Sequence, residues 1–415
     1  MRDFAAAATL SVLFSSVVFA QAQQPSLAAP AALPPEPLTL DAAFTYALNA
    51  NPTIAAARYR RAVNAANLRV AGERLNPEAH AEFEKETPKQ SFGLAIPVEL
   101  GGKRSRRIAV AEAMLQVGEA ELARTIVDIR TQVRRAYFTS VVAEARLALL
   151  EDLRLLATRA RDAAQARFDV GTAPQLELLQ AQLAQSQAEN EATAAQATAQ
   201  AASVAFNALL GLSPNTRVTL STGLEYAAQL APAIALDRAQ KGNAELAVLD
   251  RQIAEQQARV ALARALRRPD VTPDFTFTRD SEPEFMYGWR VAGAVTLPLF
   301  TTHRAQLDLE QALLTQLNAQ RTALIARITG EVMAASLVAD AQRTAYLRYR
   351  DEILPNAVEV ERMAEDSYRL GQTGITALLQ SMQASRDIRL RSLQTAQEFQ
   401  NALSELERAI GAPIP

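Results

Sequence analysis

The chain of 415 residues contains no cysteine and only two histidines. No cysteine means no disulfide framework, no thiolate metal site and no lipid-bearing cysteine at a mature N-terminus. His80 and His303 are too far apart in sequence to read as a motif. Two histidines without cysteine do not make a three- or four-ligand His/Cys site in one chain. The six methionines are scattered without an MxxM pattern, and there is neither a phosphate-cradling glycine loop nor a Ser, His and acid arrangement in a credible context. The sequence therefore points away from an enzyme, and no cofactor or resident metal is expected. A net charge of -2 gives no electrostatic reason to expect nucleic acid as a partner. Aromatic residues are few, at 6 %, while Ala, Gln, Arg and Glu are abundant, as in long helices. Beyond the N-terminal region no stretch approaches the roughly 18 to 20 uninterrupted apolar residues of a spanning helix. If the chain enters a membrane, it is expected to do so as β-strands.

The N-terminus supplies what that expectation needs. Residues 1–20 begin with a charge at Arg2, continue as an apolar run and carry small residues at Val18 and Ala20, the pattern of a secretory signal peptide cleaved after Ala20. Residues 21–37 hold five prolines without periodicity and read as an extended arm. At Leu38 helical spacing begins, with Thr39 or Asp41 as a candidate cap.

The chain then repeats itself about 200 residues apart. Asn51 to Pro77 aligns with Asn243 to Pro269, Phe92 to Arg104 with Ala292 to Arg304, Phe168 to Gln180 with Tyr368 to Gln380, and LLGLSP at Leu209 to Pro214 with AIGAP at Ala409 to Pro413. Four landmarks in one order at nearly constant offset indicate a duplication. The implied organisation is a first repeat at 38–214, a linker at 215–234 and a second repeat at 235–413.

Each repeat combines two periods. From Lys103 to Phe168 there is no proline, and Ile108, Ala111, Leu115, Leu122, Ile126, Ile129, Val133, Tyr137 and Val141 recur at helical spacing. At 1.5 Å per residue that predicts one amphipathic helix of roughly 98 Å. Asp169 to Pro174 breaks it at Gly171, and the chain returns through an Ala- and Gln-rich helix to Leu210. The second repeat runs likewise from Arg304 through a turn at Leu370 to Gly374 to Ile410, with Gly330 and Pro355 expected to bend or interrupt its first arm. Between the helices the period is two. Ala79, Ala81, Phe83, Phe92, Leu94, Ile96 and Val98 alternate with polar or small residues, as do Val271, Phe275, Phe277, Phe285, Tyr287, Trp289, Val291, Val295 and Leu297. Each repeat is thus predicted to carry one β-hairpin, at about 79–98 and 271–299, with polar turns at Glu84 to Gln90 and Arg279 to Phe285. Strands with one apolar and one polar face suit an outer-membrane barrel with a wet lumen; a small sheet packed on the helices of a soluble protein is the other reading. Four strands do not close a barrel, so a barrel demands several copies of the chain. Glu82, Glu84 and Arg290 fall on the polar face as candidate lumen-lining residues or as ordinary solvated ones.

Signal peptide, duplicated half, one hairpin per half and long helices meeting at a glycine-bearing turn resemble the TolC family of outer-membrane efflux proteins, over about Leu38 to Pro413. The VELGGKR stretch at Val98 to Arg104 looks most like that family's CzcC-like heavy-metal efflux subgroup. The resemblance implies an α+β membrane protein: long helical hairpins forming a trimeric periplasmic tube, with four strands per chain contributing to a shared 12-stranded outer-membrane barrel. It implies a location in the outer membrane of a Gram-negative bacterium, reaching into the periplasm, and the partners would be a periplasmic membrane-fusion adaptor, an inner-membrane pump of the resistance-nodulation-division type and outer-membrane lipid. The cargo would be heavy-metal cations, with drug or organic-solute efflux or type I secretion as alternatives within the class and a soluble periplasmic coiled-coil adaptor as an alternative outside it. By motif match the adaptor-docking tip would comprise Arg167, Val170, Gly171, Thr172, Leu370, Gly371 and Gln372, although a tight turn alone would require the glycines. The family's double aspartate ring would fall at Ala377 and Gln380 and is missing here. Glu177 and Gln180, with Gln380, remain as a possible pore constriction, although an exposed helix-surface glutamate is the commoner reading of Glu177.

Overall fold

The computed structural model describes residues 37–224, 230–281 and 285–414. The expected signal peptide and the arm up to residue 36 lie outside these residues, as do positions 225–229 of the linker and 282–284 of the second hairpin's turn. The first half comprises α1 (Leu40–Ala50), α2 (Pro52–Ala71), β1 (Glu78–Phe83), β2 (Gln90–Ala95), α3 (Lys103–Asp169) and α4 (Gln175–Leu210). The second comprises α5 (Pro232–Gly242), α6 (Ala244–Leu266), β3 (Asp270–Ser281), β4 (Phe285–Thr296), α7 (Arg304–Arg348), a π-helical turn at Tyr349–Ile353, α8 (Leu354–Arg369) and α9 (Ile375–Ile410).

Helix α3 has 67 residues, about 100 Å at 1.5 Å per residue. Its apolar stripe faces inward: Ala111, Ile129, Val133 and Tyr137 are buried, and the remaining stripe residues are half-buried. The core is a series of clusters along the rod rather than one centre. One joins α1, α3 and α4 around Leu38, Tyr137, Phe138 and Phe206. A second joins α5, α7 and α9 around Val332, Tyr346, Phe399 and Ile410. At the first cluster the Tyr137 hydroxyl donates to the Leu38 carbonyl at 2.9 Å and accepts from the Thr222 amide at 2.8 Å, and Leu38 bridges Leu220 in parallel. The linker and the entry to α1 are thereby fastened to the long helix.

The repeat landmarks are joints. Asn51 caps α2 by accepting from the amides of Thr53 and Ile54, and its Nδ2 donates to the Leu209 carbonyl at 2.7 Å. Asn243 caps α6 through the amides of Glu245 and Leu246 and donates to the Ala409 carbonyl at 3.0 Å. Both asparagines are buried. Each therefore uses its acceptor for a helix N-terminus and its donor for the C-terminus of another helix, satisfying orphan groups at both. Gly211 and Gly411 end those other helices in the left-handed conformation, where an added Cβ would lie 2.7 Å from the Ala50 carbonyl oxygen and 2.9 Å from Asn243 Cα, respectively.

The expected break in the second arm occurs at Pro355 and not at Gly330. Helix α7 runs unbroken through Gly330, and the π turn ends just before Pro355, the second residue of α8. A proline lacks the amide hydrogen and its ring collides with the carbonyl four residues earlier; the wider π turn, closed by the Leu354 amide on the Tyr349 carbonyl, absorbs both. One expectation needs correction. Within Arg304–Arg369 one 18-residue window reaches a mean hydropathy of 1.4, which passes a length-and-composition test for a spanning helix, with 28 % of it buried. That helix packs against α5, α6 and α9, and its Arg327 pairs with Glu245 and Glu331.

The two hairpins form one antiparallel sheet in the order β1-β2-β3-β4, so that β2 and β3 pair across the halves. Strands β3 and β4 have 12 residues each, but β1 and β2 have only six, shorter than the periodicity predicts. Pro97 has no amide to donate, and beyond it β2 keeps only an isolated bridge, Val98 with Val271. Strand β3 also runs to Ser281, past the expected start of the turn at Arg279.

Replacing Asn51 by Ala is expected to destabilise the protein by about 1–2 kcal/mol through loss of the cap. Asn51→Asp keeps an acceptor but loses the donor to Leu209, and should also lower the unfolding midpoint of the detergent-solubilised protein. Unchanged midpoints in both variants would contradict the joint.

Candidate functional site at the helical turns

The α3–α4 and α8–α9 turns have the same construction. In the first, the Gly171 amide donates to the Phe168 carbonyl (2.9 Å) and the Thr172 amide to the Arg167 carbonyl (2.9 Å). In the second, the Gly371 amide donates to Tyr368 (3.0 Å) and the Gln372 amide to Ser367 (2.9 Å). This 6→1 and 5→2 pair is a Schellman motif with glycine at its left-handed position; φ is 73° at Gly171 and 72° at Gly371. No atom lies within 4 Å of a Cβ built at either glycine. The turns thus require glycine for backbone conformation, while the space around it stays open.

Val170 and Leu370 cap these turns as exposed apolar side chains, 72 % and 68 % accessible, and Gly171, Thr172, Gly371 and Gln372 are exposed beside them. Thr172 also donates its hydroxyl to the Arg167 carbonyl at 3.0 Å. Arg167, expected among the exposed tip residues, is half-buried and engaged: its guanidinium lies 3.3 Å from a Glu177 carboxylate oxygen and 5.0 Å above the Tyr368 ring. Glu177 is the clearest correction to the sequence reading. It is buried, 8 % exposed, and accepts the Tyr368 hydroxyl at 2.8 Å. A carboxylate held this way is neither a free surface group nor a bare charge facing water. Gln180 is half-buried and Gln380 exposed.

Tyr368 was not singled out by sequence, since its partner lies 191 residues away. It ties the two helical hairpins together at the turn end of the molecule. Burial, reinforced by the hydrogen bond to the Glu177 carboxylate, pushes its phenol up to about 12. A second buried carboxylate lies further along α8: Glu361 accepts from the Ser385 hydroxyl and from Arg389 at 2.5 Å, both on α9. Arg386 of α9 reaches Glu191 of α4 at 2.8 Å. Nearer the core clusters, Arg134 of α3 donates to Glu407 (2.9 Å) and Gln400 (3.2 Å) of α9. Ionic and polar contacts therefore join the halves at successive levels, two of them using buried carboxylates that link α3 or α4 to the second half. Paired and hydrogen-bonded, such charges avoid the penalty of an isolated one.

At the other end, the sheet separates its faces as the alternation predicts. Glu78, His80, Glu82, Ser91, Gly93, Asp274, Thr276, Thr278 and Arg290 share one face by register, and Phe83, Phe92, Leu94, Phe275, Phe277, Tyr287, Trp289 and Val291 share the other. Glu82 and Arg290 are exposed on the polar face, and Glu84 lies just beyond the end of β1. The apolar residues are exposed too, Phe83 to 70 % and Trp289 to 81 %. The VELGGKR stretch forms the elbow between sheet and helix. Buried Lys103 donates to Asp270 at 2.6 Å, the Leu100 amide donates to the same carboxylate at 3.0 Å, and Arg104 and Arg107 donate to carbonyls at the end of α2. Among the described residues no group of three or more His, Cys, Asp and Glu is arranged to hold a metal.

A duplicated chain with rod-like helical hairpins at one end and an amphipathic, open-edged sheet at the other has the architecture of TolC-like outer-membrane channels. Residues 45–212 match the family described as "Outer membrane efflux protein". The chain is 29 % identical over 413 residues to the cobalt-zinc-cadmium resistance protein CzcC of Cupriavidus metallidurans, covering 97 % of this chain and 98 % of that protein. Its fold superposes on a membrane protein from Pseudomonas aeruginosa with a TM-score of 0.75 at 19 % identity, covering 90 % of each chain. It also superposes on the CmeC outer membrane channel of Campylobacter jejuni with a TM-score of 0.74 at 15 % identity, covering 90 % of this chain and 85 % of that one.

The Tyr368 phenol, raised in the folded state, contributes stability that is fully present below its ordinary value near 10 and is lost as pH rises through about 12. Difference titration of tyrosinate absorbance between wild type and Tyr368→Phe should show one phenol ionising near the upper value. Tyr368→Phe should also speed amide exchange around Arg167 to Glu177. A phenol ionising at the ordinary value, with unchanged exchange, would contradict the buried pairing.

Proposed function

We propose that this protein is the outer-membrane exit duct of a three-part export system, and that its cargo is heavy-metal cations. The observation that carries the duct reading is the sheet. Four strands expose an apolar face of Phe, Leu, Trp, Tyr and Val together with two unpaired edges, β1 and β4. In hydrocarbon each unpaired backbone group costs several kcal/mol, so the edges call for neighbouring copies. Three chains pooling four strands give a 12-stranded barrel, lipid outside and the polar face with Glu82 and Arg290 around the lumen. The same three chains place their helical hairpins side by side as a tube of about 100 Å, set by the length of α3.

In this scheme the exposed turns, with Val170, Gly171, Thr172, Leu370, Gly371 and Gln372, dock a periplasmic adaptor, and an inner-membrane pump of the resistance-nodulation-division type supplies the energy. Gln180 and Gln380 line the narrow end. Glu177 acts as a strut: widening this end by moving α8 away from α4 requires breaking its bond to Tyr368. The metal cargo rests on the near full-length similarity to a cobalt-zinc-cadmium resistance protein. Among the described residues there are one sheet and two long helical hairpins, whereas an adaptor would carry separate β-domains flanking a single hairpin.

Fractionation should recover the protein in outer membranes as a heat-modifiable oligomer resistant to mild detergent; a soluble monomer would sink the duct reading. A deletion strain should become sensitive to zinc, cobalt or cadmium, whereas sensitivity to drugs alone would overturn the metal cargo. For docking, Gly171→Asn tolerates the left-handed backbone, whereas Gly171→Trp adds bulk where no atom lies within 4 Å. The Trp variant should lose resistance with oligomers intact, and the Asn variant should keep it. Normal resistance in the Trp variant would refute docking at this turn.

A further inference from the structure

We infer that His80 and Asp274, on the polar face of the sheet, form a two-ligand site for a divalent transition-metal cation at the seam between the two halves. His80 is on β1 and Asp274 on β3, with β2 between them. The imidazole crosses β2 directly over Gly93, its register partner: a Cβ at Gly93 would lie 2.1 Å from His80 Nε2 and 2.3 Å from Cε1. Glycine at this position is what lets the ring lie flat across the strand. It brings Nε2 to 3.6 Å from Asp274 Oδ2. The other carboxylate oxygen, Oδ1, accepts the Thr276 hydroxyl at 2.6 Å, which turns Oδ2 toward the ring, as outer-shell donors orient metal-ligating carboxylates.

The separation is too long for a hydrogen bond but suits two ligands of one ion. With zinc–nitrogen and zinc–oxygen bonds near 2.1 Å, a 3.6 Å gap corresponds to a ligand–metal–ligand angle of about 120°. Both side chains are about one-quarter to one-third exposed, leaving room for water at the remaining positions. Imidazole with carboxylate selects zinc, cobalt, nickel or copper over magnesium or calcium. Glu78 and Glu82 flank His80 on the same face of β1, while Arg290 faces Thr276 from β4. Two protein ligands and a nearby guanidinium make the site weak, which is what passage requires, since a cation held tightly in a conduit would block it.

As a contact for exported cations the site rests on the duct and cargo reading above, but its existence does not. The purified full-length protein in detergent would be titrated calorimetrically with zinc chloride alone. One saturable site per chain is expected, weakened at least about tenfold in His80→Asn and Asp274→Asn and likewise in Thr276→Val, which keeps both ligands but frees the carboxylate. Gly93→Ala should abolish binding by displacing the ring, and His80→Asn covers the case in which Gly93→Ala fails to fold. Absence of saturable binding, or binding unchanged in His80→Asn, would overturn the site. Zinc binding lost in His80→Asn, in a protein whose deletion leaves metal resistance intact, would sustain the site while removing the cargo reading. Metal sensitivity on deletion with no binding at His80 would do the reverse.

Discussion

An amphipathic sheet with two free edges cannot be satisfied within one copy of this chain, and the rest of the molecule follows from that constraint. Its apolar face is too large and too contiguous to be left in water, and its edges would template uncontrolled pairing if they stayed open. A membrane-embedded closed ring answers both demands at once. The duplication is the economical way to build a part of such a ring: each half contributes one hairpin to the sheet and one pair of long helices beneath it, and the β2–β3 pairing fuses the two hairpins into one segment of wall.

Rigidity is then distributed along the rod. The asparagine joints at Asn51 and Asn243 fix short helices to the ends of α4 and α9, and aromatic clusters fill the levels beside them. Toward the turns a smaller apolar cluster packs Leu156, Ala157 and Ala160 of α3 against Tyr368, Ile375, Leu378 and Met382 of the second half, and polar contacts add to the joining of the halves. Arg134 with Glu407, Glu191 with Arg386, and Glu177 with Tyr368 all cross from one repeat to the other. Buried charge pairs contribute less to stability than apolar packing of equal volume, but they define one partner and one register. In the proposed duct, a specific contact of this kind can break and re-form as the end of the tube changes width.

How much of this was legible from sequence depended on range. The period-two and helical patterns identified strands and helices because side-chain burial repeats locally, and Gly171 and Gly371 stood out because a left-handed turn residue leaves few choices. The landmark residues Asn51, Asn243, Gly211 and Gly411 were visible as a repeat, but their work as double caps needed partners about 160 residues away. Glu177 was misplaced as an exposed or pore-facing acid for the same reason: nothing near it in sequence announces Tyr368. The short first hairpin escaped because alternation continues past Pro97, where only the isolated bridge from Val98 to Val271 remains. His80 and Asp274 looked unrelated until the register of three strands set them side by side.

Because the chain has no native cysteine, the central constraint can be read directly. One cysteine would be placed on edge strand β1 at Ala81 and one on edge strand β4 at Val291, both on the apolar face, and the outer-membrane protein treated with a short bis-maleimide. Edge-to-edge closure between copies predicts a covalent ladder that ends at three chains and vanishes when either cysteine is omitted. Cross-linking confined within single chains, or none at all, would contradict a barrel shared between copies.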